Sequence, residues 1–455
     1  MGHEDRRTGG RRKAPTARSV AAHVLLRVER DQAFASAALD AELDRAVQLS
    51  AADRRLATEL VYGVLRCEGY LDERISRHAR KGVARLDPEV RVHLRIAVYQ
   101  VAILERIPAF AAVSAGVDLV RDAKGPHVAR FANAVLRKIA SEVEAGGRTD
   151  TAKAVRASMN PALVKRVAAA LGSAQEAEAM LTAGPFPPPL SLRIHAGQDV
   201  DVWFDRLSAA VSGARLLRGK VSPRCILLTG AGRPDDLPGF EQAWSVQEEG
   251  SQLLGAALGA QPGERVLDAC AGRGNKTLLI AERVGPTGSV DAADLHESKL
   301  SLLAGRAQAL GLPVDQTFAV DWTVGTGEVP DAYDRVLVDA PCSGIGTMRR
   351  RPEVLHRDID ATLTSLHHLQ RGILAHAATR CRPGGRLIYA VCSVLREEAE
   401  DVIAASLAQG VPLEPAPFDK ADEVPLLRDK TSLRLLPHVH GTDGYFVASF
   451  RRLAD

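Results

Sequence analysis

Between residues 17 and 145 the apolar positions return every three or four residues, the period of helices that bury one face. Leu56, Leu60 and Val64 follow Ser50 and Asp53, which stand at capping-box spacing. Asp87-Pro88 reads as a helix start, with proline at the first helical position, and Val90, Leu94, Val98 and Val101 continue it as one stripe. A further helix is expected over 128–139. No alternating run competes, so this stretch reads as an all-α domain. Residues 142–150, with Gly146-Gly147, read as a linker, and 162–171 as a connecting helix. Pro185, Pro187, Pro188 and Pro189 then interrupt regular structure. Strands at 190–194 and 224–228 flank a helix at 202–211, a small α+β insert that ends near Trp244.

From about 245 the pattern changes. Short apolar runs at 265–269, 289–293, 317–320, 335–339 and 385–391 are separated by longer helical patterns. This alternation implies βαβ crossovers and a mostly parallel, Rossmann-like sheet in an α/β domain. Runs at 432–436 and 445–450, joined by a glycine-bearing loop, imply a terminal antiparallel hairpin. The expected organisation is a basic tail (1–16), the all-α domain (17–145), a linker helix with a small α+β subdomain (146–244) and the α/β domain (245–455).

Composition adds bounds. At 455 residues the chain exceeds one ordinary domain. Formal net charge is +3, but Arg6, Arg7, Arg11, Arg12, Lys13 and Arg18 near the N-terminus face only Glu4 and Asp5. That tail suits either a solvated arm or a contact with nucleic-acid phosphates. Arg54, Arg55, Arg66, Arg74, Arg77, Arg80 and Lys81 suit either a solvated helix surface or an RNA-facing patch. No run approaches the roughly 20 apolar residues that span a bilayer, and the N-terminus lacks a secretory apolar core. Six cysteines without a Cys-x-x-Cys pair point to reduced thiols, a cytoplasmic setting and no metal. A monomer is expected.

Candidate chemistry gathers at the strand exits. The first strand of the α/β domain runs into Cys270-Ala271-Gly272-Arg273-Gly274-Asn275-Lys276, a glycine-rich turn before a helix. Such turns bind ligands beyond the carboxyl ends of strands; the spacing is not that of a P-loop. The next strand ends in Asp294, 26 residues after Asp268, where an acid can accept ribose hydroxyls. The third ends in Asp321, placed for an adenine amine. Each acid alone could be a helix cap; together, after one glycine turn, they imply a dinucleotide or an adenosyl cofactor. The fourth strand runs into Asp339-Ala-Pro-Cys-Ser-Gly-Ile-Gly346 and the fifth into Tyr389-Ala-Val-Cys-Ser393, so Cys342 and Cys392 leave what should be neighbouring strands at the cofactor edge. Arg349, Arg350 and Arg351 follow, read as phosphate contacts beside a base pocket.

The segment from Asp339 to Glu353 resembles the fourth motif of Sun-type RNA cytosine-5 methyltransferases. Tyr389 to Val394 resembles their Thr-Cys motif with Val391 in place of Thr, Ser245 to Gln252 the segment leading into their cofactor domain, and Gly441 to Phe446 their C-terminal motif. The helical region is similar to the NusB-like RNA-binding domain of the small-subunit (16S) rRNA members. The resemblance implies a class I methyltransferase sheet, S-adenosyl-L-methionine as methyl donor and RNA, expected to be 16S rRNA, as substrate. It makes Cys392 the nucleophile that adds to carbon 6 of cytosine and Cys342 the residue of the release step. It puts Asp339, carrying a proton, against ring nitrogen 3 and the exocyclic amine, with Lys276 at the carbon-2 oxygen. The implied cofactor set is Cys270, Ala271, Gly272, Arg273, Gly274, Asn275, Lys276, Asp294, Asp321 and Asp339. The turn departs from the family run, with Arg273 for Pro and Asn275 for a Gly; a left-handed conformation at Asn275, which Asn tolerates, is expected to keep it. Two enzyme alternatives stand, Cys342 as nucleophile and tRNA as substrate, beside a catalytically weakened RNA-binding assembly factor.

Overall fold

The computed structural model describes residues 14–183, 188–230, 232–419 and 424–454. Most of the basic tail, and Pro185 and Pro187, lie outside the described residues. The chain divides into two compact units, the first ending at Met159 and joined by Arg351–Glu353.

The first unit is helical: α1 (Ala17–Asp31), α2 (Ala35–Arg45), α3 (Ala51–Arg66), α4 (Glu68–His78), α5 (Pro88–Ala102), α6 (Ala109–Gly146) and α7 (Thr151–Ala157). Ser50 caps α3 through Asp53 N, and Asp87 caps α5 with Pro88 at its first position. Leu60, Val64, Val90, Leu94 and Val98 lie in one core. The helix expected over 128–139 is the second half of α6. Gly125 (φ 80°) breaks α6 just before Pro126, which cannot donate to the helical ladder. The expected linker shrinks to the few residues between Gly147 (φ 79°) and the α7 cap Asp150. The expected basic patch shrinks as well. Arg66 is buried, Arg74 lies over the Tyr70 ring near Glu142, and Arg54 donates to Leu43 O. Arg55, Arg77, Arg80 and Lys81 stay exposed, Arg77 paired with Glu73.

The second unit opens with α8 (Pro161–Leu171) and α9 (Ala174–Leu181). A four-stranded antiparallel sheet follows, in the order β2-β3-β1-β4, from β1 (Leu190–Ile194), β2 (Arg215–Arg218), β3 (Cys225–Thr229) and β4 (Trp244–Val246), with α10 (Val200–Ala210) between β1 and β2. The insert therefore carries two strands, β2 and β4, beyond those expected, and Ser245 and Val246 of β4 belong to its sheet.

The main sheet comprises β5 (Arg265–Asp268), β6 (Ser289–Asp294), β7 (Val314–Ala319), β8 (Tyr333–Asp339), β9 (Cys381–Val391), β10 (Leu413–Pro415), β11 (Ser432–Leu435) and β12 (Tyr445–Arg452). Its order is β10-β12-β9-β8-β5-β6-β7, with β11 paired to β12. Strands β5 to β9 are mutually parallel; β12 runs antiparallel beside β9. Helices α11 (Glu249–Ala257), α12 (Asn275–Val284), α13 (Glu297–Leu310), α14 (Ile359–Arg380), α15 (Glu400–Ala408) and α16 (Pro437–His440) complete the unit. The central strands are largely buried and rich in Val, Leu and Ile, as crossover helices require. Strand order reverses between β5 and β8, so the ligand crevice of such a sheet opens above their carboxyl ends. Among the described residues no helix is long and apolar enough to cross a membrane.

Candidate active site

Parallel pairing of β8 with β9 sets Asp339 opposite Ala390, and Ala340 N donates to Ala390 O at 2.9 Å. Cys342 and Cys392 follow these positions by three and two residues. Their Sγ atoms lie 3.0 Å apart, both half-buried. The loop after β8 is held on several sides. Gly346 N donates to Cys392 O (3.1 Å), and Gly444 N, from the turn before β12, donates to Gly346 O (2.8 Å). Ser343 donates through N (2.6 Å) and Oγ (2.5 Å) to the buried Glu398 carboxylate, and Gln370 Nε2 donates to Pro341 O (2.9 Å).

The hydrogen bond with Cys392, then burial, push the Cys342 thiol well above its ordinary pKa, and the Glu398 charge adds to this. Cys342 is thus held as a thiol. Lys276, in the first turn of α12, brings Nζ to 2.6 Å from Asp339 Oδ2. Burial disfavours the Lys276 charge, but Asp339 outweighs it and Cys392 adds to it, so its pKa lies above the ordinary lysine value. That ammonium occupies one side of the Asp339 carboxyl group.

The glycine turn lies at the same edge. Gly272 (φ 56°) and Gly274 (φ 87°) are its left-handed residues. Asn275 is the first residue of α12 and has no positive φ, so the left-handed Asn expected there is corrected: the demanding positions are the two that remain Gly. Arg273 is exposed, and Arg306 of α13 replaces the rigidity that Pro would give. Its Nη1 donates to Arg273 O (3.0 Å) and Asn275 Oδ1 (2.8 Å), while Nε donates to Glu241 Oε2 (3.1 Å). Ala271 N donates to Ala293 O (2.9 Å), and Gly272 N to Asp294 Oδ2 (3.0 Å). Asp294 Oδ1 also accepts from His296 N and Lys299 Nζ. Asp321 is exposed after β7; Thr323 Oγ1 and N donate to it and hold its pKa low. It touches none of the other candidates through these bonds, but its neighbour Trp322 donates to Ala269 O (2.7 Å) and fixes that strand exit beside the turn. Burial pushes the half-buried Cys270 thiol well up.

Two features fit an adenosyl ligand. A side chain at Gly272 would point into open space, with nothing within 4 Å. Asp268 is 1% exposed, accepts Thr277 Oγ1 at 2.7 Å through Oδ2, and leaves Oδ1 without a partner. Burial raises its pKa to about 6. An unmet buried carboxylate oxygen beside an open glycine turn suits a cationic ligand group.

Comparison with known proteins agrees with this geometry. Residues 255–451 match the model of the 16S rRNA methyltransferase RsmB/F family, and residues 15–141 that of the NusB family. A probable ribosomal RNA small subunit methyltransferase B of Synechocystis sp. is 32% identical over 96% of this chain and 99% of its own length. The chain belongs to the RsmB/F family. A Bacillus subtilis relative of the same description is also 32% identical, over 97% of this chain and 99% of its own. The crystal structure of PH0851 shares the fold, with a TM-score of 0.79 and 24% identity over 96% of this chain and 99% of that one.

For two of the three arginines that follow the Cys342 loop, the expected phosphate contact is overturned. Arg349 is 3% exposed and donates to Gly441 O (2.8 Å), with Asp443 at 3.5 Å; Arg350 donates to Asp443 Oδ2 (3.1 Å) and Pro189 O. These two guanidiniums fasten the β8 loop to the segment before β12 and are not available to phosphates. Sequence reasoning also missed Glu398, Gln370, Arg306 and Trp322, whose partners are remote in the chain; only Trp322, directly after Asp321, had a local signal.

Proposed function

We propose that this S-adenosylmethionine-dependent RNA methyltransferase modifies carbon 5 of a cytosine in 16S rRNA through a covalent adduct on Cys392. The observation that carries this reading is the 3.0 Å thiol pair at neighbouring strand exits, with the Lys276–Asp339 pair beside it. Carbon 5 of cytosine is a weak nucleophile. Thiolate addition at carbon 6 turns the ring into an enamine, which divides one difficult step into easier ones. Lys276, at the carbon-2 oxygen, offsets charge developing on the ring. Asp339 accepts from the exocyclic amine and orients the base. S-adenosylmethionine supplies the electrophilic methyl group when bound. Cys270, Ala271, Gly272, Arg273, Gly274, Asn275 and Lys276 form its cradle, with Asp294 for the ribose, Asp321 for the adenine end and Asp339 near the transferred group. After transfer the carbon-5 proton passes to water, the carbon–hydrogen pair forms the carbon-5–carbon-6 double bond, and the carbon-6–sulfur pair leaves with Cys392 as thiolate. Cys342, its sulfur neighbour, serves that step. The target base must leave its stack, so a looped or single-stranded cytosine is favoured.

The domain roles follow from the same reading: residues 17–145 dock RNA, 146–244 link and carry the small subdomain, and 245–455 catalyse. The same reading makes the protein a monomer, and free thiols at the site suit a cytoplasmic protein. The test is methylation of 16S rRNA, free and in small subunits, with methyl-labelled S-adenosylmethionine, followed by bisulfite sequencing. One protected cytosine in 16S rRNA is expected. Label confined to tRNA, or none with any RNA, contradicts the proposal.

A further inference from the structure

We propose that Glu398 is a positioning residue for the release step, holding Cys342 in place through Ser343. Glu398 ends the short turn 396–398 that follows β9, and it is 0% exposed. Oε1 accepts from Ser343 N at 2.6 Å and Gln370 Nε2 at 3.3 Å; Oε2 accepts from Ser343 Oγ at 2.5 Å. Its backbone oxygen accepts from the buried Tyr389 hydroxyl at 2.8 Å. Gln370 Nε2 also donates to Pro341 O at 2.9 Å. The residues on both sides of Cys342 are therefore pinned to one buried cluster.

Burial of a carboxylate costs several kcal/mol unless good donors meet it. The donors here are neutral, and those from the thiol loop are the shortest. The carboxylate thus gives the loop a fixed pose rather than a charge to share. The Cys342 sulfur itself meets Cys392 and the backbone N–H of Gly344, both within the same site. Loss of the Glu398 bonds frees Pro341, Cys342 and Ser343 to move together, while Cys392, directly after β9, keeps its place. Adduct formation then proceeds and release slows.

This inference rests on the release role of Cys342, and the experiment separates the two. Full-length Glu398→Ala, Glu398→Gln and Ser343→Ala enzymes are compared with wild type and Cys342→Ala on substrate RNA. Measured are kcat, KM for RNA, S-adenosylmethionine affinity and protein–RNA adduct on denaturing gels. A displacement of about 1 Å in a reacting group can cost about 100-fold, so E398A is expected to lose kcat on that order. Its KM and cofactor affinity should be unchanged, and adduct should accumulate. E398Q keeps oxygen and amide partners for Ser343 and should stay within a few-fold of wild type. S343A, which removes only the hydroxyl bond, should fall between them and serves if E398A does not fold. If C342A accumulates adduct and E398A and S343A do not, the positioning role is overturned. If C342A itself accumulates none, the release reading falls first. Equal losses in E398Q and E398A also overturn the positioning role, because charge alone would then account for the effect.

Discussion

Substitution of Gly346 by Ala should disable the site by breaking the contact between three chain segments. A methyl built on Gly346 lies 1.9 Å from Gly444 O, 2.6 Å from Gly444 C and 2.9 Å from Cys392 O. Ordinary contact begins near 3.4 Å, so about 1.5 Å must be found at the first atom alone. All three neighbours are backbone, and none can rotate away. The same backbone makes the bonds Gly346 N to Cys392 O and Gly444 N to Gly346 O. Relief therefore loses at least one of them, about 1 kcal/mol net, on top of about 1–3 kcal/mol for overpacking. A loss of about 2–4 kcal/mol is expected, together with a fall in turnover near 100-fold as the thiols part. All three tryptophans, Trp203, Trp244 and Trp322, lie in the second unit, so urea unfolding followed by their fluorescence reports on it directly. A G346A enzyme with the wild-type urea midpoint and wild-type kcat would refute the reasoning.

Other outcomes follow from the same geometry. Lys276→Met strands the Asp339 carboxylate; with Asp339 26% exposed, the loss should sit at the low end of about 3–5 kcal/mol. Adding Asp339→Asn should restore much of the stability and none of the activity, and a double-mutant cycle without coupling contradicts the pairing. Arg306→Ala frees the glycine turn and should weaken S-adenosylmethionine binding about tenfold, or about 1.4 kcal/mol by calorimetry, with KM for RNA unchanged; unchanged cofactor affinity removes the clasp from the account. Burial holds the His93 pKa at about 4, against an ordinary 6.5. The unfolded chain therefore takes the proton first as pH falls. Stability is complete above pH 6.5 and drops by up to about 3 kcal/mol by pH 4. Far-UV circular dichroism of His93→Gln in urea should show that acid sensitivity reduced in the helical unit; an unaltered pH profile contradicts it.

Much of the architecture was legible because local pattern and fold agree. Strands β5 to β9 announce themselves as short apolar runs between helical stretches, and strand exits are where sheet chemistry gathers. That logic foresaw two thiols at one edge. What local pattern does not carry is the remote partner. Arg349 and Arg350 read as an exposed run, yet Asp443, more than ninety residues away, takes both. Arg306 reads as one surface cation on α13, yet it spans Arg273, Asn275 and Glu241. Strands β2, β4 and β10 are three or four residues long, too short to show a period. The Asn275 expectation failed by one position: the left-handed demand falls on Gly274, while Asn275 already belongs to the helix.

The most direct measurement is intact-mass analysis of the Cys392→Ala and Cys342→Ala enzymes after incubation with 16S rRNA and S-adenosylmethionine. The account predicts a stable protein–RNA adduct with Cys342→Ala and none with Cys392→Ala. The opposite pattern, with the adduct surviving loss of Cys392, would contradict it and transfer the nucleophile to Cys342.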